Sequence, residues 1–470
     1  MRRVRKALPL LGCVLLGCAL LAWFAPGAWL RRDETPPTPP RRTAYEPAAF
    51  IDQAQDHLRR HPGDTRTWAD LGGAYLEQAR RTGDPAFYSR AQGAFQRSLP
   101  DIDAVIGMGA LANARHDFAL ALRWGTRART AAPYRWPLYA VLTDAYVELG
   151  QYVKADRVLR HLLDGRPDLV SFTRAAHLFH LRGQSARARE ALERARDIAS
   201  DPADYAFCVW QLGELAWSDG DPRAALSAYT EALAADPSHT PSLAGKARAE
   251  AALGRLADAR RDYADAVTRS PSFVVEYGEL LQHLGDQAGA RRMYAVFRAQ
   301  VKLQAANGVT DSLAVGRYEA DHGSPAVAVR ELRAEWGRRH SVDVADALGW
   351  ALHRVGRHTE AARYAAYADR LSGRNALFAY HRGEISRALG RTSSAHAELT
   401  RALSINPYFS PDGPAKARAA LGGAALDSSA LGGAAPRGPA KARAALGDVE
   451  LDDAPPHGPA QTRPARGGAA

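Results

Sequence analysis

His177 and His180 stand three residues apart, so on a helix they share a face, and two imidazoles at that spacing can ligate a metal if a carboxylate joins them. Glu214 is the candidate carboxylate. The simpler reading of the three is polar groups on the wall of a groove, and no metal or other cofactor is assigned. The sequence carries no glycine-rich phosphate loop, HExxH, paired CxxC or GxSxG. The chain is therefore read as non-enzymatic. Trp210 and Trp217 lie seven residues apart, two helical turns, and share a face with Glu214 between them. An aromatic pair flanking a carboxylate suits a partner segment with apolar residues and a nearby Arg or Lys. The competing reading packs both tryptophans between neighbouring helices.

The element that must position these residues is the stretch from Ala206 to Pro237. Gly213 and Ala225 allow two helices to approach closely, and Tyr229 fills the gap between them. Gly220, Asp221 and Pro222 make the turn, since Gly tolerates positive φ and Pro can open a helix. Pro237 ends the unit because it cannot continue a helix. The turn glycine recurs at Gly150, Gly183, Gly220, Gly254, Gly285, Gly323, Gly356 and Gly390, a mean step of about 34 residues. The closing proline recurs at Pro133, Pro167, Pro202, Pro237, Pro271 and Pro407. Longer steps to Gly220 and Gly323 predict extra residues in loops near Ser200 and Asn307. A helix pair this short cannot bury its own apolar face, so copies must stack.

Trp68, Leu71, Gly72 and Tyr75 spell WxxLGxxY, and Ala91 and Phe95 continue the pattern on a second helix. With Leu212, Gly213, Ala216, Gly220, Ala225, Tyr229, Ala232 and Pro237 in the later unit, residues 48–407 resemble the tetratricopeptide repeat family. The resemblance implies an all-α, right-handed superhelical solenoid of about ten antiparallel helix pairs. It also implies that first helices line a concave groove. The slots concerned hold Asp144, Thr173, His177, His180, Phe207, Trp210, Glu214, Trp217, Arg248, Glu279, Arg317, Trp350, His353, Tyr380, Glu384 and Arg387. Such a groove takes other proteins or peptides. The Lys and Asn that clamp a C-terminal carboxylate in chaperone-binding relatives are absent from the corresponding positions, so that partner class is not expected here.

Charge and targeting set the remaining bounds. The formal charge is +11, but residues 1–45 hold eight Lys/Arg against two acids, and the body is nearly balanced. No basic face with interleaved aromatics stands out, so no nucleic acid is expected as a partner. The three cysteines, Cys13, Cys18 and Cys208, offer no disulfide framework to the body. The uncharged run from Ala7 to Leu30 is long enough to span a bilayer. Basic residues before it predict a cytoplasmic N-terminus and residues 33–470 outside. Residues 1–32 are read as a retained signal anchor in the cell membrane; the alternatives are cleavage to a secreted form, or lipidation at Cys18. Residues 33–47 are a proline-rich spacer. Residues 408–470 are a low-complexity tail expected to be disordered; it repeats GPAKARAALG at 413–422 and 438–447, and the first copy could cap the last repeat. The expected function is a protein-interaction scaffold at the cell envelope. The alternatives are a helper subunit of an enzyme complex, and a ligand or metal binder using the groove histidines. The oligomeric state is not legible.

Overall fold

The computed structural model describes residues 46–371 and 374–422. The apolar run of residues 7–30, nearly all of the spacer and the tail beyond Gly422 lie outside the described residues. Among the described residues no helix is long and apolar enough to cross a membrane.

Among the described residues there are 22 α-helices and no strand. After α1 (Pro47–Arg60) come the pairs α2 (Thr65–Thr82) and α3 (Ala86–Ser98), α4 (Ile102–Ala114) and α5 (Phe118–Ala131), and α6 (Pro137–Glu148) and α7 (Tyr152–Gly165). Next are α8 (Leu169–Leu181) and α9 (Ser185–Asp197), α10 (Pro202–Ser218) and α11 (Pro222–Ala235), and α12 (Thr240–Ala252) and α13 (Leu256–Arg269). The last four pairs are α14 (Val274–His283) and α15 (Gln287–Ala306), α16 (Ser312–His322) and α17 (Pro325–Arg338), α18 (Val342–Arg354) and α19 (His358–Ala368), and α20 (Ala376–Ala388) and α21 (Thr392–Ile405). A short α22 (Gly413–Ala420) follows. The ten pairs α2 to α21 make a helical-repeat solenoid.

Local chemistry sets the boundaries. Asp64, Asp117, Asp168, Asp201, Asp221, Asp286 and Asp311 each cap a helix by accepting a backbone N–H of its first turn. The turn glycines adopt the left-handed conformation, Gly220 at φ 81°, which costs residues with a Cβ. Gly323 departs from this pattern, with φ −129°. The extra residues foreseen in loops near Ser200 and Asn307 largely lengthen helices: α15 has 20 residues and α10 has 17. Tyr229 is fully buried between two units, and a Cβ on Gly213 or Gly245 would come within 2.6 or 2.8 Å of its ring. These glycines are dictated by close approach.

The array also winds back on itself. Val342 N–H donates to Tyr152 Oη at 3.0 Å, and Asn406 Nδ2 donates to the Trp217 carbonyl at 2.8 Å, across 190 and 189 residues. Thr310 N–H likewise donates to the Arg115 carbonyl at 3.2 Å. Units about five and a half repeats apart thus touch edge to edge.

Candidate functional site

Packing against neighbouring units decides what becomes of most groove residues. Phe207, Trp217, Trp350 and Tyr380 are only 5%, 4%, 5% and 2% exposed, so they pack instead of standing open as anchors. Trp350 Nε1 donates to Asp321 at 2.9 Å, and its ring stacks with His353 and His381 at 5.0 and 4.2 Å. Burial pushes the His353 pKa down to about 4. Tyr380 lies against Phe409 at 5.2 Å. Trp210 is half-buried, against Phe207 at 5.7 Å and the edge of His239 at 5.9 Å. Asp144 is spent on Arg174, which donates from Nε at 2.8 Å and Nη2 at 2.6 Å. Thr173 returns its hydroxyl to the Leu169 carbonyl at 2.9 Å. Arg317 pairs with Asp343 at 3.0 Å, and Glu384 with Arg387 at 2.7 Å.

His177 and His180 line a small cavity of about 60 Å³ with Tyr152, Asp343 and Asn375. Burial pushes the His177 pKa down to about 4, with His180 adding to the effect, so its ring is neutral at neutral pH. Glu214 does not complete a metal set with them. It accepts from Tyr229 Oη at 2.7 Å and Arg248 Nη2 at 2.6 Å. Among the described residues no three His, Cys, Asp or Glu side chains are arranged to hold a metal ion.

A larger cavity, about 290 Å³, opens where α10, α12 and α14 meet the segment from Pro407 to Arg418. Trp217, Arg248, Leu256, Tyr263, Glu276 and Leu280 line the solenoid side. The Arg248 guanidinium lies over the Trp217 ring at 4.7 Å and also donates to Tyr229 Oη at 3.0 Å. Glu276 is unusual. Burial raises its pKa to about 7 against the pull of Arg248, and Tyr263 Oη donates to it at 3.3 Å. Glu279 is paired with His322 at 2.9 Å, both side chains being 2% exposed. On the far wall Asp412 bonds His283 at 2.7 Å, which raises the His283 pKa against burial. A mainly apolar lining that also carries Arg248 and Glu276 is equipped to bind.

Of the residues foreseen, the structure brings Trp217, Arg248 and Glu279 to this cavity, with Glu214 bonded to Arg248 behind them. It does not bring His177, His180, Trp350 or Tyr380 to it. Sequence reasoning missed Glu276, although its position three residues before Glu279 on α14 places both on one face. It also missed Tyr263, and although it allowed a capping helix at 413–422 it did not foresee that the segment from Pro407 to Arg418 walls a cavity.

Residues 216–284 match the tetratricopeptide repeat family. No curated protein matches the chain in sequence. Among solved structures, a tetratricopeptide repeat protein from Parabacteroides merdae is 17% identical, with 54% of this chain and 97% of that one covered and a TM-score of 0.33. A human IFIT1 dimer with PPP-AAAA is 15% identical over 69% of this chain and 78% of that one, at TM-score 0.42. Yeast Tom70 is 11% identical over 80% and 95%, at TM-score 0.30. With ten stacked helix pairs and the family match at their middle, this chain has the tetratricopeptide repeat fold.

Proposed function

We propose that the chain is a non-catalytic scaffold that holds a segment of a partner protein in the concave groove, at the cavity between α10, α12 and α14 and the segment from Pro407 to Arg418. The observation that carries this reading is the cavity itself: about 290 Å³ of mainly apolar space, lined by Trp217 and Leu280 together with Arg248 and Glu276. Packing between repeats should leave no such space unless something else fills it. Residues 7–30 anchor the scaffold in the cell membrane, with the repeats outside the cytoplasm, and nucleic acid is not the ligand.

A photo-crosslinking residue at Leu256, which is 39% exposed at the cavity, tests the site against one at Val153, which is 41% exposed on α7. In the native cell a discrete partner adduct should form from position 256 and not from 153. Identical adducts at both positions, or none, would sink the reading. Reporter fusions after Pro47 test the topology: they should be active only outside the cytoplasm.

A further inference from the structure

The cavity wall formed by α22 is held in place lightly. α22 buries only Gly413, Pro414 and Ala417. Its N-cap Asp412 makes no side-chain bond to the helix and spends its carboxylate on His283. Lys416 fits poorly: its Nζ is buried with no acceptor, and burial lowers its pKa below the usual ammonium range. An ammonium withdrawn from water without a partner opposes docking. Asp412, Asp321 and Glu384 pull toward a charged Lys416, while Arg354 opposes it and burial outweighs all three carboxylates. Arg418 shares the cavity wall with Glu276 and Glu279. The seat therefore accepts a helix that is small and apolar on one face and basic along its edge. Ala417 is fully buried there. The anchor that would remain after α22 left is already built, since Phe409 packs on Tyr380 upstream of the helix. The sequence also carries the seated decapeptide, GPAKARAALG, a second time at 438–447.

We propose that α22 is a displaceable stand-in for the partner, so the segment this groove takes is an alanine-rich helix with Lys or Arg along one edge, and it enters by expelling α22. The inference rests on the groove being the partner site and narrows what binds there. Entry needs no unfolding of α20 or α21, because only the short helix and its three buried positions leave.

The test uses a fluorescent synthetic GPAKARAALG peptide and the full chain, with Ala442→Glu in every form so that the second decapeptide does not compete. Ala417→Glu places a carboxylate at a position without solvent and ejects α22; the peptide should then bind at least tenfold more tightly. Lys416→Met removes the unpartnered ammonium, keeps its stem and tightens the wall, so the peptide should bind several-fold more weakly. Equal binding to all three forms, or binding to none, overturns the proposal. If circular dichroism shows Ala417→Glu to be unfolded, Lys416→Met decides alone, and unchanged or tighter binding to it overturns the proposal. A partner adduct at Leu256 together with equal peptide binding would spare the groove reading and sink only the stand-in.

Discussion

Two seams join successive turns of this superhelix at nearly the same sequence separation, and they end differently. Where α6 and α7 meet the α17–α18 junction, the space is filled. Arg339 bonds both Glu148 and Glu335, its guanidinium lies over Phe118 at 4.8 Å, and Tyr152 accepts from Val342. The gap left beside it is about 60 Å³. Where α10, α12 and α14 meet the C-terminal segment, two side-chain bonds, Asn406 to Trp217 and His283 to Asp412, span a cavity of about 290 Å³. The same winding makes a clamp in one place and leaves a cavity in the other. What decides is whether the meeting side chains satisfy one another.

The comparison breaks most severely at Arg339. Arg339→Ala would strand the Glu148 carboxylate in a closed seam and leave Glu335 with Arg338 alone, costing about 3–5 kcal/mol. Urea denaturation should show that loss. A loss below about 1 kcal/mol would mean the clamp is decorative.

At the open seam the sign reverses. The folded pKa of Glu276 lies above its ordinary value, at about 7, so its ionisation opposes folding. That cost is absent below about pH 4.5 and grows as pH rises through 7. Because Glu276 is partly open to water, Glu276→Gln should stabilise the protein by roughly 1–3 kcal/mol at pH 8 and scarcely at pH 5. A pH-independent effect in thermal melts would contradict the assignment.

Two glycines sharpen the contrast. Gly150 has φ 75°, and an added Cβ would collide with the His340 carbonyl across the closed seam; Gly254 has φ 78° and open space around it. Gly254→Ala should cost about 1 kcal/mol from backbone strain alone, and Gly150→Ala about 2 kcal/mol or more. Equal losses would show that the seam yields easily.

The smallest effect belongs to His116, which faces Asp311 at 3.6 Å near the clamp. Burial opposes its charge, yet Asp311 overrides this and the His116 pKa is raised. Its contribution is therefore complete below the usual histidine pKa and fades as pH rises through the raised value. The stability difference between wild type and His116→Gln, about 1 kcal/mol at pH 6, should shrink by pH 9.

The repeat was legible because its signals are local. Gly220 needs positive φ, Tyr229 needs Gly213 and Gly245 beside it, and Pro237 must end a helix, all within one period. The fate of the groove was not, since Trp217 and Tyr380 occupy groove slots by periodicity, but Trp217 lies under Arg248 and beside the segment from Pro407 to Arg418, and Tyr380 against Phe409. A pattern that repeats every 34 residues or so says nothing about what arrives 190 residues later. Glu214 shows the same limit. Its spacing between two tryptophans suggests a free carboxylate, whereas Arg248 from the next unit already holds it.

Native-state hydrogen exchange, read by mass spectrometry at residue-level overlap, addresses the central claim most directly. Amides of α22 should open locally, by fluctuations far smaller than global unfolding, and the concave faces of α12 and α14 should gain exchange with them. Amides of α6, α7 and α18 should exchange only when the solenoid unfolds. Equal protection at both seams, or earlier opening at Arg339 than at α22, would contradict the account of one closed seam and one built to admit a partner.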